Sequence, residues 1–226
     1  MSFADHSHKN WMKRAINLAA LGRGNTSPNP LVGAIILDKS GKLISEGFHE
    51  KAGMHHAEAM AFNNLAGDPN GGTLYVNLEP CCHKGKTPPC VERIIASGIK
   101  QVFVSIKDPD KRVAGQGIQI LKDAGIEVHL GLCEQESLEL NKSFIYRNIT
   151  GASYGVLKWA MSLDGRLGLK NGQSKWITNE ESRSLVHKIR AEFDAIIIGG
   201  NTLRKDNPLL TTRGIKEEEP LRVVVT

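Results

Sequence analysis

The sequence predicts an α/β fold, because stretches with the apolar pattern of β-strands alternate along the chain with stretches of helical periodicity. Residues 31–37 form a continuous apolar run of strand length, and the run Thr73–Leu78 lies between a glycine pair and a proline. In such folds helices cover both faces of the sheet, and ligands bind beyond the carboxyl ends of the strands. The pattern restarts near residue 148, so we expect one domain at residues 1–148 and a second, incomplete domain at 149–226.

The elements of the first domain follow from these patterns in order. Apolar positions at helical spacing predict a helix at residues 5–22 that ends at a glycine, and residues 31–37 and 42–48 predict a two-stranded hairpin. The remaining predicted elements are a helix at 56–65, a strand at Thr73–Leu78, a helix at 90–97, a strand at Gln101–Ile106, a helix at 117–124, a strand at Glu127–Leu130 and a helix at 134–146.

The second domain carries fewer elements. Residues 154–161 predict a strand, residues 179–192 a helix capped by Asn179 or Thr178, and residues 195–198 and Leu221–Val225 two further strands. A domain that ended on an apolar strand would leave that strand with an exposed edge. We therefore expect the native chain to continue past Thr226.

The composition excludes several classes of protein. Of the 226 residues, 40% are hydrophobic and 23% charged, as in ordinary globular chains. No apolar run could span a membrane and the polar first ten residues lack a signal-peptide core, so we expect a cytoplasmic protein without membrane contacts. A net charge of +5, spread along the chain, favours a small anionic substrate over a nucleic acid. The four cysteines indicate metal binding rather than disulfides.

Two short motifs carry the chemistry of the first domain. His56 is followed two residues later by Glu58, and Cys81 and Cys90 lie in the second motif. One imidazole and two thiolates with an open fourth position are typical of a catalytic zinc site. Zinc deaminases have this signature, His-x-Glu followed by Pro-Cys-x-x-Cys, with the glutamate as proton shuttle. Here Cys90 follows Cys81 by nine positions instead of three, across a basic, proline-rich insertion.

Residues near these two motifs have both a structural and a functional interpretation. Asn29 lies in a stretch that is either a plain turn into a strand or a contact to a pyrimidine edge, since an amide both donates and accepts. His49 taken alone is more typical of a surface histidine. Lys84 and Lys86 form either a charged loop or, beside a pocket, partners for a phosphate.

The whole set of motifs resembles the bifunctional riboflavin-biosynthesis deaminase/reductase family. In the first domain the resemblance lies in Asn-Pro-Leu-Val-Gly at residues 29–33, in His49, in the two zinc motifs and in Thr-Pro-Pro-Cys at residues 87–90. It continues in the second domain at residues 158–166, 174–178 and 202–213. The resemblance implies a cytidine-deaminase-like three-layer α/β/α domain, followed by the N-terminal part of a dihydrofolate-reductase-like domain.

The resemblance also implies two reactions. The first is zinc-dependent hydrolytic deamination of a diaminopyrimidinone that carries a ribosylamino 5′-phosphate, and the second is reduction of the ribosyl to a ribityl group by NADPH. By motif position it assigns zinc to His56, Cys81 and Cys90, and the proton shuttle to Glu58. It assigns substrate contacts to Asn29, His49, Lys86, Ser174, Arg190, Leu210 and Arg213, and nucleotide contacts to Ala160, Trp176, Thr202 and Asp206. The family commonly forms homo-oligomers.

Two rival functions remain at this point. A tRNA or nucleoside deaminase would share the zinc site, but it predicts a short Pro-Cys-x-x-Cys and no second domain. A zinc-stabilised binding module without enzymatic activity predicts a fourth protein ligand, for which His83 is the candidate.

Overall fold

The computed structural model describes residues 3–83, 88–111 and 113–226. The chain divides into two compact units, Met1–Tyr154 and Gly155–Thr226. The division falls a few residues after the boundary predicted between residues 148 and 149, which lies inside a helix. In the described part of the chain, no helix has both the length and the apolar character needed to cross a bilayer.

The first unit is built on a five-stranded mixed sheet. Its strands are β1 (Gly33–Leu37), β2 (Leu43–Phe48), β3 (Thr73–Leu78), β4 (Gln101–Ile106) and β5 (Glu127–Leu130), in the spatial order β2-β1-β3-β4-β5. β1 runs antiparallel to β2 and β3, whereas β3, β4 and β5 are parallel. The carboxyl ends of β3 and β4 therefore lie side by side at one edge of the sheet.

In the described ranges this unit also has six helices, most of which cover the two faces of the sheet. They are α1 (Phe3–Ala20), α2 (Ala57–Asn63), α3 (Cys90–Ala96), α4 (Gln116–Asp123), α5 (Glu134–Leu140) and α6 (Lys142–Thr150). Successive strand residues point to opposite faces. Val76 accordingly packs with the apolar residues of α2, α3 and α4, and Tyr75 packs with those of α1. The predicted three-layer α/β/α domain is confirmed.

The prediction of a single helix at residues 134–146 was wrong in one respect, because two helices, α5 and α6, replace it. The helical path is interrupted at Asn141, whose φ of −101° and ψ of 16° separate α5 from α6. Asn141 is only 1% exposed, and its side chain bonds to the backbone of Leu31. The helical periodicity of the sequence does not show this long-range contact.

The second unit has a small parallel sheet of two strands. Its elements are α7 (Glu180–Ala191), β6 (Ala195–Gly199), α8 (Gly200–Asp206) and β7 (Leu221–Val225), with β6 paired to β7. Asn179 caps α7 by accepting a hydrogen bond of 2.9 Å from the amide of Ser182, which confirms one of the two predicted caps. The helix α8 was not predicted.

The strand predicted at residues 154–161 is not formed. These residues have no assigned helix or strand, and Leu157 is 87% exposed. A strand is stabilised by a neighbouring edge and by burial of its side chains. In the described part of this unit, β6 and β7 pair with each other and neither takes residues 154–161 as a neighbour.

Candidate metal centre

In the first unit, three predicted metal ligands lie close together at the end of β3 and at the starts of α2 and α3. His56 is the N-cap residue of α2, Cys90 is the first residue of α3, and Cys81 follows β3 after two intervening residues. One donor atom from each lies within 4.8 Å of the other two. The sheet and two helix starts thus bring together residues that are 34 positions apart in sequence.

The contacts among these donors are close. The Nδ1 atom of His56 lies 3.4 Å from the Cys81 sulfur and 3.5 Å from the Cys90 sulfur. The backbone amide of Cys90, at the start of α3, also donates to the Cys81 sulfur over 3.4 Å. A helix start offers unpaired amides to an anion, so this position favours a thiolate.

The two thiols differ in their affinity for a proton. Hydrogen bonding from the Cys90 thiol, reinforced by His56, lowers the pKa of Cys81 to about 4. The same interaction raises the pKa of Cys90 well above its ordinary value. The opposite directions have one cause, because the pair shares a proton between two sulfurs. A thiolate, a second sulfur and an imidazole nitrogen at these distances form a donor set that fits Zn²⁺.

Glu58 lies in the first turn of α2, two residues after His56, and is 4% exposed. Burial raises its pKa to about 7, and the negative charge of Cys81 adds to the effect. The carboxyl group also hydrogen-bonds the Cys90 thiol. Glu58 is therefore beside the metal ligands without being part of the three-donor cluster.

Asn29 and His49 lie close together next to this centre, and His49 stacks edge-on against His56 at a ring distance of 6.0 Å. The Nδ2 atom of Asn29 lies 3.1 Å from Nε2 of His49, and Nδ1 of His49 lies 2.9 Å from the carbonyl oxygen of His55. If Asn29 donates to Nε2, the ring proton must be on Nδ1, where it donates to His55. Burial lowers the pKa of His49, which agrees with this neutral ring.

The sequence analysis also named Lys84, Lys86 and His83 as candidates near this centre. Lys84 and Lys86, the predicted phosphate partners, lie outside the described residues. His83, the fourth ligand required by the binding-module alternative, is not among the clustered donors, which in the described ranges are His56, Cys81 and Cys90. The Nδ1 atom of His83 is buried and has no hydrogen-bond partner there.

Sequence reasoning missed Glu79, which stands two positions before Cys81 and is 3% exposed. Its carboxylate accepts hydrogen bonds from the backbone amides of Asp108 (3.2 Å), Gly115 (2.9 Å) and Ile118 (3.1 Å). It therefore ties the end of β3 to the loop after β4 and to the start of α4. A glutamate directly before Pro-Cys at a strand end is the only signal of this role in the sequence.

The predicted substrate residues of the second unit are partly brought together. The Arg190 guanidinium donates to the carbonyl oxygen of Thr211 over 2.6 Å. Burial lowers the pKa of Arg190, and the positive charge of Arg213 lowers it further. Leu210 and Arg213 have φ values of 56° and 57°, a left-handed conformation that is rare outside glycine. Ser174 lies in an irregular segment, and no hydrogen bond within the described ranges joins it to these residues.

The predicted nucleotide residues are more dispersed. Thr202 and Asp206 are exposed on α8, whereas Ala160 and Trp176 lie in irregular segments. The Arg183 guanidinium stacks over the Trp176 ring at 4.5 Å. No hydrogen bond in the described part of the chain joins any two of these four residues, so their role stays a prediction.

Comparison with protein families gives one match for each unit. Residues 5–106 match the zinc-binding region of cytidine and deoxycytidylate deaminases. Residues 153–226 match the RibD C-terminal domain. The two matches follow each other along the chain in the order that the sequence motifs predict.

Individual relatives extend over both units. The chain is 48% identical over 218 residues to the riboflavin biosynthesis protein RibD of Aquifex aeolicus, covering 96% of this chain and 61% of that protein. It superposes with a TM-score of 0.92 and 42% identity on the diaminohydroxyphosphoribosylaminopyrimidine deaminase/5-amino-6-(5-phosphoribosylamino)uracil reductase of Thermotoga maritima, covering 99% of this chain and 64% of that one. The Rib2 deaminase of Aspergillus oryzae, solved in complex with DARIPP, is 26% identical with a TM-score of 0.51, covering 63% of this chain and 94% of that one. The chain thus spans about three fifths of its RibD relatives.

Proposed function

Because this chain is homologous to the RibD riboflavin-biosynthesis proteins over nearly its whole length, we propose that its first unit is the deaminase of that pathway. The proposed reaction converts 2,5-diamino-6-ribosylamino-4(3H)-pyrimidinone 5′-phosphate and water into 5-amino-6-(5-phosphoribosylamino)uracil and ammonia. The observation that carries the proposal is the convergence of His56, Cys81 and Cys90 within 4.8 Å of one another, with the buried Glu58 beside them.

The residues of the chain divide the work of this reaction. His56, Cys81 and Cys90 would hold a zinc ion, which supplies Lewis-acid chemistry that makes water nucleophilic near neutral pH. Glu58 accepts one proton of the attacking water and returns it to the ring nitrogen, then carries the second proton from the new hydroxyl group to the amino group, which leaves as ammonia. The carbon thus exchanges its bond to nitrogen for a bond to oxygen, with no change of oxidation state.

Asn29 and His49 are proposed to recognise the pyrimidine. With Nδ2 of Asn29 directed at His49, the Oδ1 atom of Asn29 is left to accept a hydrogen bond from an N–H group of the ring. Both nitrogens of His49 have partners within the protein, so His49 contributes mainly by orienting Asn29.

A deamination assay tests the reaction through Glu58. The zinc-loaded protein should release ammonia from the phosphorylated diaminopyrimidinone, and Glu58→Gln should lower kcat by about 10²- to 10⁴-fold, because the isosteric amide cannot carry the proton. Zinc content, measured by elemental analysis, should stay the same in the variant. Ammonia release at the wild-type rate by Glu58→Gln would remove Glu58 from the mechanism.

The substrate class is tested through the phosphate. A charge-assisted contact contributes roughly 1.5–3 kcal/mol, so Lys86→Ala should raise KM by about 10- to 100-fold. Removing the substrate phosphate should raise the KM of the wild type by a similar factor. It should raise the KM of the variant little further, because both changes delete one interaction. Efficient turnover of cytidine or of the dephosphorylated pyrimidine would instead favour a nucleoside deaminase.

A second function is supported by the match of residues 153–226 to the RibD C-terminal domain. We propose that the second unit contributes substrate contacts from Ser174, Arg190, Leu210 and Arg213, and nucleotide contacts from Ala160, Trp176, Thr202 and Asp206, to an NADPH-dependent reduction of the ribosyl group. Two arginines suit a ribose phosphate. Titration of the protein with NADPH, followed by tryptophan fluorescence, tests the nucleotide part, and Trp176→Phe should weaken NADPH binding and reduce the quenching if that residue is the contact.

We further propose a homo-oligomer in the cytoplasm, in line with the RibD resemblance. Light scattering coupled to size-exclusion chromatography measures the molar mass directly. A mass equal to that of one 24.7 kDa chain at working concentration would rule out the oligomer.

A further inference from the structure

The backbone between Asn29 and β1 is held by two buried asparagine side chains. Asn141 accepts a hydrogen bond from the Leu31 amide through Oδ1 (2.8 Å) and donates to the Leu31 carbonyl through Nδ2 (2.9 Å). Asn77 donates to the same carbonyl (3.0 Å) and accepts from the amide of Gly33 (2.8 Å). The two asparagines are 1% and 0% exposed, so water does not replace them.

The pairing of Asn141 with Leu31 has the form of a strand contact made by a side chain. A primary amide presents one donor and one acceptor side by side, and it thereby satisfies both backbone groups of a single residue. Leu31 precedes β1, where it has no strand neighbour; without Asn141 its amide would lose this partner, and its carbonyl would keep only the bond from Asn77. At position 141, an aspartate side chain would have no donor for the Leu31 carbonyl, and a leucine side chain would make neither hydrogen bond.

This pairing acts on the segment that carries Asn29. Leu31 is two residues from Asn29, and the next residue, Val32, accepts from the amide of His49 over 2.9 Å. The backbone that follows Asn29 and the backbone at His49 are therefore both held by hydrogen bonds. Asn141, contributed by the α5–α6 junction 110 positions away in sequence, supplies part of that support.

We propose that Asn141 is a positioning residue for the deamination, which orients the Asn29 amide toward the pyrimidine by pairing with both backbone groups of Leu31. The proposal rests on the proposed function, because it takes Asn29 as a substrate contact. Asn141 makes this pairing from the junction between α5 and α6, where its φ of −101° interrupts the helical path.

The test compares zinc-loaded full-length variants. Asn141→Leu should raise KM for the phosphorylated pyrimidine about tenfold, the effect of one weakened hydrogen bond, while kcat and zinc content change little. Asn141→Asp retains the volume and one acceptor and serves as the milder variant if Asn141→Leu does not fold. Asn148→Asp is the matched control, since Asn148 lies in α6 but bonds within its own helix to Phe144.

A double-mutant cycle separates positioning from general destabilisation. In an Asn29→Ala background, Asn141→Leu should add little to KM, because both changes act on one contact. Fully additive losses, or an unchanged KM in Asn141→Leu, would overturn the proposal. The side-chain amide resonance of Asn29 provides a readout independent of activity: it should shift in Asn141→Leu and Asn141→Asp but not in Asn148→Asp. If the wild type releases no ammonia, the proposed function fails, whereas the NMR comparison still decides whether Asn141 orients Asn29.

Discussion

At the scale of single residues, the candidate centre depends on a few donor atoms whose environment is unusual for each of them. A histidine nitrogen and two cysteine sulfurs lie within 4.8 Å of one another. The lowered pKa of Cys81 and the raised pKa of Cys90 show that the two sulfurs compete for one proton. A metal ion that replaces this proton would relieve the competition.

We expect one zinc per chain, and substantial loss of it in Cys90→Ala, because two remaining protein donors bind zinc far more weakly than three. Cys133→Ala is the control, since it removes a thiol that lies outside the donor cluster. Elemental analysis of the purified proteins measures the difference. Undiminished zinc in Cys90→Ala would contradict the ligand assignment.

A second residue-scale prediction concerns Asp108. Burial raises its pKa to about 6, from an ordinary value near 3.8. The folded state therefore binds the proton more tightly than the unfolded state, and the stabilisation by Asp108 is complete below about pH 4 and lost as the pH rises toward 6. Asp108→Asn stays neutral and keeps the acceptor for the amide of Asp110 at 2.8 Å.

The variant should thus match the wild type in melting temperature near pH 4 and exceed it by a few degrees above pH 6. Thermal unfolding followed by circular dichroism over this pH range measures the difference. A melting-temperature difference that is the same at all pH values would show that ionisation of Asp108 is not the cause.

At the scale of elements, Glu79 joins three pieces of the first unit. The helix α4 has no side-chain cap of its own at Gly115, and the Glu79 carboxylate bonds to two amides at its start. A carboxylate is favoured there by the helix dipole as well as by the hydrogen bonds. Gly117 allows the close approach, because an added Cβ would lie 2.2 Å from the carbonyl oxygen of Pro80.

Glu79→Ala should lower the free energy of unfolding by about 3 kcal/mol, because three amides lose their acceptor: the buried amide of Ile118 at a cost of roughly 1–3 kcal/mol, and the partly buried amides of Asp108 and Gly115 at a smaller cost. Glu92→Ala, an exposed glutamate in the first turn of α3, should change it by less than about 0.5 kcal/mol. Denaturant unfolding of the zinc-loaded proteins measures both. Equal effects of the two substitutions would mean that the Glu79 contacts do not stabilise the fold.

At the scale of the whole molecule, the two units differ in how they bury apolar side chains. Both described apolar clusters consist of residues of the first unit, where they cover the two faces of the five-stranded sheet. In the second unit, large apolar side chains such as Leu157, Leu209 and Leu221 are 87%, 75% and 67% exposed. The first unit therefore carries its own core.

We predict that a protein ending at Tyr154 folds, binds zinc and retains the deaminase activity proposed here, with a melting temperature within a few degrees of that of the full chain. The reason is that truncation there removes no member of either apolar cluster. Calorimetry and the ammonia assay measure the two properties. An unfolded fragment would show that the second unit contributes to the stability of the first.

From its local patterns, the sequence determined the α/β class, the five strands of the first unit and most of the helices around them, because hydrophobic periodicity is a property of neighbouring residues. Its motifs also indicated the candidate residues of the metal centre. Only the tertiary structure decided the strand order β2-β1-β3-β4-β5, the break at Asn141, the anchoring role of Glu79 and the absence of a strand at residues 154–161. Each of these depends on which distant backbone groups become neighbours, and a hydrogen bond across 110 positions leaves no periodic trace in the chain. Strand formation in particular requires a partner edge, which the local preference of a segment cannot supply.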